Sequence, residues 1–458
     1  MELLCRAECA VLVEQLHESD CDQWSNEADD EKNGESEDTA SFGLGRHGST
    51  LPLSDVSLVV QKFGGTSVGN ADRIREVADH VARCCRRGDD VVLVVSAMGK
   101  ETDDLLRIAN EVSTTQPGRE MDLLITAGER KACALVAMAL TDAGVPAASF
   151  TGSQAGFITD ENHRNAKILD IKPDRIREAI DAGMVPVVAG SQGMSGNKNV
   201  TFLGRGGSDT TAVALAHVLE ADACELYTDV SGVFTTDPRV VTTACKMPSI
   251  SFDELLEMTA VGCPKPAMRS VEVARNYRVP LHIRSAFTWE PGTWVVEEEP
   301  NMEQAVVSAV VPDTSEAKIT VGGVSDEPGI AAGLFRKLAE AAVNVDMIVQ
   351  NVSAAGVTDI SFTVPKEEVD AASKVAREQM ADDATVATDA SIGRVSLVGA
   401  GMKSNPGVAA TMFETLAAND INIEMISTSA IRISCVVRAE EVDAATQVLH
   451  DAFELGSS

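Results

Sequence analysis

Long hydrophobic runs are absent from this sequence. None of its apolar stretches approaches the roughly 18 residues that a membrane-spanning helix needs, so a membrane protein is excluded. Hydrophobic residues nevertheless make up 44% of the chain, which is typical of globular proteins. Because domains commonly contain about 100–200 residues, the 458 residues predict roughly two to four domains.

Basic residues are scarce. Lys and Arg total 38 against 70 Asp and Glu, and the formal net charge is −32. This charge would repel nucleic-acid phosphates and anionic lipids, so a nucleic-acid-binding protein is disfavoured. Because acidic residues recur in every segment, we hypothesise a halophilic cytoplasm, in which salt shortens the Debye length to about 3 Å at 1 M. An ordinary acidic protein is the alternative.

Paired cysteines are also missing. The ten cysteines form no C-x-x-C pair, which argues against a disulfide scaffold and against a zinc site. The first sixteen residues are interrupted by Glu8 and Glu14 and have no small-residue cleavage site, so they do not resemble a secretory signal. A reducing cytoplasm is the location that we expect.

Residues 1–57 have the composition of a disordered extension. They contain 14 acidic and 3 basic residues, and too little apolar surface to fold alone. The segment 43–48, GLGRHG, matches the dinucleotide-binding pattern G-x-G-x-x-G. No predicted strand precedes it and no amphipathic helix follows it, so a dinucleotide site is not supported.

The segment from 58 to about 300 alternates between strand and helix patterns. LVVQKF (58–63) is strand-like, the next segment has apolar residues at helical spacing, and VVLVV (91–95) is a short buried run. A strand, a crossover helix and a second buried strand form a parallel βαβ unit. Further apolar runs at 185–189 and 224–228 continue the alternation, so an α/β sandwich is predicted.

A tandem repeat follows the Pro- and Glu-rich stretch 290–301. Residues 326–348 align with residues 404–426 without a gap, and the Pro-Gly pair at 328–329 coincides with the pair at 406–407. Each copy has a Pro-Gly turn, a helical pattern and an alternating strand. The repeat predicts two compact α+β modules.

Two glycine clusters could bind anions. The chain has no G-x-x-x-x-G-K-[ST] motif, which excludes the usual P-loop. The segment 62–67, KFGGTS, places two glycines and a lysine where a strand meets a helix, so backbone N–H groups could approach a phosphate, although an ordinary glycine turn fits equally well. In the segment 204–210, GRGGSDT, a capped helix would explain Ser208 and Asp209 but not Gly-Arg-Gly-Gly, so a binding function is favoured.

Four longer motifs contain or accompany these clusters. In chain order they are KFGGTSV (62–68), ITAGER (125–130), GRGGSDTT (204–211) and YTDVSGVFTTDPR (227–239). Together with the repeat, they resemble the aspartokinases of the amino acid kinase family over about residues 58–450.

The resemblance implies both a fold and an activity. The fold is a three-layer αβα sandwich with a mainly parallel sheet at 58–300, the amino acid kinase fold, followed by ACT domains of ferredoxin-like βαββαβ topology at 315–385 and 392–455. The activity is transfer of the γ-phosphoryl of ATP, with Mg²⁺, to the side-chain carboxylate of L-aspartate. The product, 4-phospho-L-aspartate, begins the pathway to lysine, threonine and methionine.

This chemistry needs no general base. A carboxylate with a pKa near 3.9 is already ionised at neutral pH, which fits the absence of histidine from the motifs. Repulsion between the anionic nucleophile and the phosphate must instead be relieved by positioning, Mg²⁺ and fixed positive charge.

The resemblance also implies roles for individual residues. Lys62, oriented by Asp209, would neutralise the transferring phosphoryl group. Arg205 and Thr102 would hold the α-carboxylate of aspartate, and Glu129 its α-ammonium; a solvated charge on a helix is the alternative for Glu129. The phosphate and nucleotide contacts would be Gly64, Gly65, Thr66, Ser96, Gly206, Gly207, Ser208, Thr228, Asp229, Arg239 and Lys265, with a turn residue as the alternative for Asp229.

One segment departs from the family pattern. Relatives commonly read G-A-K-V-x-H-P-R before S-V-E, whereas this chain reads GCPKPAMR (262–269) before Ser270. Counted back from Arg269, the family lysine falls on Pro264, and Lys265 is one position late. The two prolines could rebuild the loop so that Lys265 still reaches the phosphates, which predicts that Lys265→Ala raises the ATP KM.

The repeat region resembles that of the aspartokinases sensitive to lysine, threonine or both. This resemblance implies inhibition by these amino acids and a homodimer or higher oligomer formed through paired ACT domains. In the second copy, Ala430 stands where relatives often carry Glu. For the apolar residues of these strands, core packing is the favoured interpretation. The positions that match the family's effector pocket are Asp326, Asn344, Val345, Asp346, Gln350 and Asn351.

Two other functions remain open. A kinase that acts on glutamate or acetylglutamate is disfavoured by KFGGTSV and by the repeat, and an amino acid sensor with a weak kinase half is suggested only by the altered loop at 262–269. The length leaves no room for the dehydrogenase domain of fused aspartokinases, so a monofunctional enzyme is expected.

Overall fold

The computed structural model describes residues 57–297, 306–325, 327–352, 357–379 and 385–456. The acidic extension predicted for residues 1–57 therefore lies outside the described residues, apart from Ser57. Within the described ranges, no helix is both long and apolar enough to cross a membrane.

Strands and helices alternate through the first half of the described chain, as the sequence predicts. The strands are β1 (Leu58–Phe63), β2 (Asp90–Val95), β3 (Ala147–Phe150), β4 (Phe157–Thr159), β5 (Ile168–Ile171), β6 (Val185–Ala189), β7 (Gln192–Ser195), β8 (Val200–Phe202), β9 (Ala223–Thr228), β10 (Ser249–Ser251), β11 (Leu281–Ser285) and β12 (Thr293–Val296). The helices are α1 (Ala71–Arg87), α2 (Glu101–Val112), α3 (Gly118–Asp142), α4 (Asp174–Asp181), α5 (Gly207–Leu219), α6 (Phe252–Ala260) and α7 (Met268–Tyr277).

One mainly parallel sheet organises this half, with the strand order β10-β12-β11-β9-β1-β2-β6-β3. Neighbours from β11 to β3 are parallel, whereas β12 is antiparallel to β11 and β10 is parallel to β12. Parallel neighbours need a crossover connection, which is why helices alternate with these strands. A smaller sheet has the order β5-β4-β7-β8.

Helices cover both faces of the large sheet. In β2, Leu93 and Val95 pack into an apolar cluster that includes residues of α1 and α3. Val92 and Val94 point to the opposite face and pack into a cluster with residues of α5, α6 and α7. Successive strand residues thus serve opposite layers, and the predicted three-layer αβα sandwich is confirmed.

The first repeat module has the complete βαββαβ sequence of elements. Its antiparallel sheet has the order β15-β16-β14-β17. The elements are β14 (Glu316–Ser325), α8 (Ile330–Glu340), β15 (Ile348–Val352), β16 (Val357–Pro365), α9 (Val369–Gln379) and β17 (Thr385–Asp389), after an upstream strand β13 (Ala309–Asp313).

The second module borrows its fourth strand. Its sheet has the order β13-β18-β20-β19, so β13, which precedes the first module in the chain, pairs antiparallel with β18. The predicted boundaries 315–385 and 392–455 stay predictions, and neither range contains β13. The other elements of this module are β18 (Ile392–Val398), α10 (Val408–Ala418), β19 (Met425–Thr428), β20 (Arg432–Arg438) and α11 (Val442–Ala452).

Candidate active site

The predicted site residues gather where the central parallel strands end. Lys62 is the penultimate residue of β1, Ser96 directly follows β2, and Thr228 ends β9. These three strands are neighbours in the sheet, in the order β9, β1 and β2. In an open α/β sheet, ligands bind outside the carboxyl ends of the strands, so the topology itself places a site here.

A buried ion pair lies at the centre of this edge. The Nζ atom of Lys62 is 2.6 Å from Oδ1 of Asp209, and the two side chains are only 9% and 11% exposed. Asp209 lies in the first turn of α5, and its Oδ2 accepts a hydrogen bond from the backbone N–H of Ala267 at 3.2 Å. The carboxylate therefore fixes the direction in which the ammonium group points.

Glycine backbone lies close to this ammonium group. A Cβ atom on Gly64 would be 3.4 Å from Nζ of Lys62, and one on Gly65 would be 2.8 Å from the carbonyl oxygen of Ala97. The second distance is too short for any larger residue without a shift of backbone. The turn is held by hydrogen bonds from the N–H of Gly64 to the carbonyl of Tyr227 (3.3 Å) and from the N–H of Gly99 to the carbonyl of Gly65 (2.9 Å). The result is backbone without side chains next to a fixed positive charge, which suits an anion.

Ser67 belongs to this turn, although sequence reasoning did not select it. Its side chain is fully buried, and its Oγ has no hydrogen-bond partner among the described residues. Its position directly after Thr66 in the motif is the sequence signal that could have identified it. Gly206, Gly207 and Ser208 lie at the start of α5, where the Oγ of Ser208 is 2.9 Å from the Oγ of Ser191.

Glu129 is a buried carboxylate with one unpartnered oxygen. It lies on α3 and is only 3% exposed, so the alternative of a solvated helix charge is wrong. Its Oε2 has no hydrogen-bond partner within the described residues. Burial raises the pKa of Glu129 to about 7, because the charged form loses water. An ammonium group at Oε2 would restore the stability of the charged form.

The other two residues predicted to bind aspartate are more accessible. Thr102 lies half-buried in the first turn of α2, and Arg205 is exposed in the turn before α5. Within the described residues, no hydrogen bond or ion pair joins either side chain to Lys62, Asp209 or Glu129. The structure therefore does not join Thr102 or Arg205 directly to the other three residues by a hydrogen bond or an ion pair.

A cavity of about 570 Å³ contains the predicted nucleotide contacts Asp229, Arg239 and Lys265. The Nζ atom of Lys265 lies 2.8 Å from Oδ1 of Asp229. Burial acts to raise the pKa of Asp229, but the hydrogen bond and charge of Lys265 outweigh it and hold that pKa below its usual value. Arg239 is paired with Asp237 at 2.6 Å and is largely exposed. The cavity is thus lined by both cationic and acidic groups.

This cavity adjoins the glycine turn through β9. Tyr227, whose carbonyl oxygen holds Gly64, is followed by Thr228 and then by Asp229 in the cavity wall. The Oγ1 of Thr228 accepts a hydrogen bond from the N–H of Val230 at 3.1 Å and thereby shapes the turn after the strand. The two groups of residues are therefore connected through the end of β9.

A buried polar network that sequence reasoning missed centres on β9. Glu225 accepts hydrogen bonds from Gln61 (2.9 Å), Tyr227 (2.9 Å) and Arg284 (2.8 Å), which lie on β1, β9 and β11. Burial acts to raise the pKa of Glu225, but hydrogen bonds and charge from His282 and Arg284 lower it to about 2. The sequence signal that could have identified this network is Glu225, a charged residue within the largely apolar strand ACELYT. The network ties β1 and β9, the strands that carry Lys62 and Thr228, to β11.

One predicted effector residue, Asp346, lies at the junction of the two repeat modules. Asp346 pairs with Arg394 of β18, whose side chain is only 3% exposed. Asn344, Gln350 and Asn351 are exposed on the first module. Val345 packs against the core of that module, as the packing interpretation predicts. Asp326 lies outside the described residues.

Comparisons with known proteins agree with the division into an α/β half and two repeat modules. Residues 57–285 match the amino acid kinase family model, and residues 319–380 and 395–453 match an ACT domain model. An aspartokinase of Corynebacterium glutamicum is 51% identical over 408 residues, which cover 88% of this chain and 97% of that protein.

Two solved structures share the fold. Both are structures of Escherichia coli aspartokinase III. The complex with aspartate and ADP is 22% identical to this chain, with a TM-score of 0.73, and the match covers 86% of this chain and 99% of that one. The complex with lysine and aspartate is 23% identical, with a TM-score of 0.69, and the match again covers 86% of this chain and 99% of that one.

Proposed function

Because this chain belongs to the aspartokinases of the amino acid kinase family, we propose individual roles for the residues of its active site. As an aspartokinase, the protein transfers the γ-phosphoryl of ATP to the side-chain carboxylate of L-aspartate and forms 4-phospho-L-aspartate. The paired ACT domains subject this activity to feedback regulation. We infer that the product enters a pathway to lysine, threonine and methionine.

The reacting groups meet beside Lys62. Its ammonium group lies next to the bare backbone of Gly64 and Gly65, and the ion pair with Asp209 at 2.6 Å fixes its position. This is the observation that carries the assignment. Lys62 neutralises charge on the transferring phosphoryl group, and the backbone N–H groups near Gly65 and Thr66 hold phosphate oxygens. Gly206, Gly207, Ser208 and Ser96 complete the phosphate contacts.

Glu129 selects an amino acid as the acceptor. Its unpartnered Oε2 binds the α-ammonium of aspartate, while Arg205 and Thr102 hold the α-carboxylate. Two opposite charges on the substrate are thus matched by two opposite charges on the protein. The side-chain carboxylate remains free to attack phosphorus, and it needs no base because it is already ionised.

The nucleotide occupies the cavity beyond β9. Its lining includes Asp229, Arg239 and Lys265, and Thr228 shapes the turn that leads into this wall. Lys265 contacts the nucleotide although it stands one position after the usual lysine, because its ammonium group already reaches Asp229 at 2.8 Å. The loop formed by 262–265 thereby substitutes for the family sequence.

Mg²⁺ accompanies the nucleotide. Among the residues that the structure describes, no group of three His, Cys, Asp or Glu side chains could hold a metal ion. This fits a Mg²⁺ that is bound mainly through phosphate oxygens and water, which is how this ion commonly binds in kinases. When bound, it neutralises phosphate charge, while Lys62 and Asp209 supply the protein's fixed part of the site.

The regulatory ligand is lysine, threonine or both. The effector contacts include Asp346 at the module junction and Asn344 and Gln350 on the first module, together with Asp326. Pairing of ACT domains between copies gives at least a homodimer. The acidic composition suits a halophilic cytoplasm, in which salt screens the net charge of −32.

A hydroxamate assay tests these proposals. The protein is incubated with ATP, Mg²⁺ and hydroxylamine at several salt concentrations, with aspartate, glutamate or N-acetylglutamate as the acceptor. We expect an acyl hydroxamate that depends on aspartate and is suppressed by lysine or threonine. Equal product from glutamate would overturn the role of the site in acceptor selection, and absence of product at every salt concentration would favour an amino acid sensor.

A further inference from the structure

A strand of the second ACT module forms part of the nucleotide cavity wall. Val310 to Asp313 of β13 line this cavity, and β13 is hydrogen-bonded to β18 in the sheet of the second module. On its other side, the N–H of Val310 donates to the carbonyl of Thr235 at 2.8 Å. The regulatory module is therefore in contact with the segment that carries the predicted nucleotide residues.

The loop at 262–265 is packed tightly against this strand. A Cβ atom on Gly262 would lie 2.7 Å from Cβ of Asp313 and 3.1 Å from the carbonyl oxygen of Pro312, and Gly262 has a φ of +121°. Both the close approach and the left-handed backbone require glycine at this position. A movement of β13 would therefore displace the loop that carries Lys265.

Helix α6 leads directly into the same loop. The N–H of Val261 donates to the carbonyl of Glu257 at 3.1 Å, and the N–H of Cys263 donates to the carbonyl of Met258 at 2.9 Å. Met258 itself lines the cavity together with Gly262 and Lys265. The last turn of α6 and the nucleotide loop thus form one hydrogen-bonded unit.

Two carboxylates of α6 bind the second module. Near its start, the Oε1 of Glu254 accepts hydrogen bonds from the Oγ of Ser308 and the N–H of Ala400. One turn later, Glu257 accepts a hydrogen bond from the Oγ of Ser429 at 3.1 Å and pairs with Arg432 at 3.2 Å. The Glu257–Arg432 pair is largely shielded, since the side chains are 25% and 15% exposed.

We propose that Glu257 and Arg432 are positioning residues for ATP: they hold α6 against the second ACT module and thereby set the position of the 262–265 loop. The regulatory module then acts on ATP affinity, through α6 and β13 together. The residues assigned to aspartate lie on α2, on α3 and before α5, and none of them contacts this ion pair among the described residues. The inference rests on the proposed assignment of the cavity to the nucleotide.

The test compares Glu257→Gln, Arg432→Gln and the double variant. We expect each single variant to raise the KM for ATP by roughly threefold to tenfold, while the KM for aspartate stays within about twofold. The KM for ATP of the double variant should be no higher than that of the more impaired single variant, because the two residues act through one ion pair. In all three variants, lysine or threonine should inhibit the activity by a smaller fraction than in the unaltered protein.

Arg275→Gln is the matched control. Arg275 pairs with Asp253 of α6 but lies on α7, so its removal breaks an ion pair of the same helix in which no residue of the second module takes part. Its KM for ATP should equal that of the unaltered protein. Thermal unfolding and direct calorimetric binding of ADP separate loss of fold from loss of nucleotide affinity.

The outcomes are distinguishable. An unchanged affinity for ADP and an unchanged KM for ATP in folded Glu257→Gln and Arg432→Gln would overturn the inference, and so would equal rises in both KM values. If the unaltered protein lacks aspartate-dependent turnover, the proposed function fails instead, and the ADP affinities of the variants still decide the positioning role.

Discussion

At the scale of single residues, Lys62 is the group whose charge matters most for turnover. Lys62→Met keeps an apolar stem of similar length but removes the ammonium group beside Gly64. We expect kcat to fall by roughly 10²- to 10³-fold, as when one fixed electrostatic group is lost from an active site. Hydroxamate formation measures the rate. Lys167→Met, at an exposed lysine, should retain full activity, and a folded Lys62→Met protein within threefold of normal kcat would contradict the assignment.

Glu129 should make aspartate binding dependent on pH. Because burial raises its pKa to about 7, Glu129 becomes neutral in the free enzyme below that pH and can no longer pair with an ammonium group. The KM for aspartate should therefore rise as the pH falls from 8 to 6. Glu129→Gln should raise this KM by about tenfold or more at pH 8 and abolish its pH dependence.

The exposed Glu120 on the same helix supplies the control for that experiment. Glu120→Gln changes the charge of α3 equally and should leave both the KM and its pH profile unchanged. If Glu129→Gln kept the pH profile of the unaltered enzyme, another group would have to be responsible for it.

Lys265 is expected to act on the nucleotide and not only on Asp229. Lys265→Ala should raise the KM for ATP severalfold, because it removes a cation from the cavity wall. If Lys265 served only to neutralise Asp229, then adding Asp229→Asn would restore a normal KM. We expect the double variant to remain impaired, as steady-state kinetics at varied ATP will show. An unchanged KM in Lys265→Ala would remove this residue from the site.

At the scale of the elements, β18 joins the two ACT modules through one buried arginine. Arg394 of β18 lies 3.0 Å from Asp313 of β13 and 3.4 Å from Glu316 of β14, and it also pairs with Asp346 of the first module. Burial raises the pKa of Glu316, although the charge of Arg394 opposes that shift. Three acidic groups from separate elements therefore depend on one guanidinium.

Arg394→Met should destabilise the fold by about 3–5 kcal/mol, because it leaves buried carboxylates without their cation. The loss should be smaller at pH 5 than at pH 8, since protonation of Glu316, whose pKa is raised, relieves the repulsion. Denaturant unfolding at both pH values measures this. Arg394→Lys retains the charge and should lose less, and equal losses for the two variants would point to packing instead.

At the scale of the whole molecule, the net charge of −32 should make stability depend on salt. Raising KCl from 0.1 M to 2 M shortens the Debye length from about 10 Å to below about 3 Å and should raise Tm by about 10 °C. Thermal unfolding in sucrose is the control, since sucrose favours burial without screening charge. A Tm that is the same in 0.1 M and 2 M KCl would favour the ordinary acidic protein.

Local sequence signals determined much of the architecture. Helical and strand periodicities predicted the αβα sandwich, and the gap-free repeat predicted two similar modules, because these patterns depend on neighbours within one element. The motif KFGGTS already placed Lys62, Gly64 and Gly65 together, since they are nearly adjacent in the chain. From the residues alone, however, an ordinary glycine turn explained this motif equally well, and resemblance to a family decided for phosphate binding.

Only the tertiary structure decided which side chains are buried and which distant segments meet. Nothing in the sequence around Glu129 distinguished a solvated charge from a buried one, because burial depends on how α3 packs against the rest of the fold. The pairing of β13 with β18 and the reach of Lys265 to Asp229 likewise join segments that are far apart in the chain. Sequence periodicity carries no record of such contacts, whereas charge placement, pKa and the walls of a cavity depend on them.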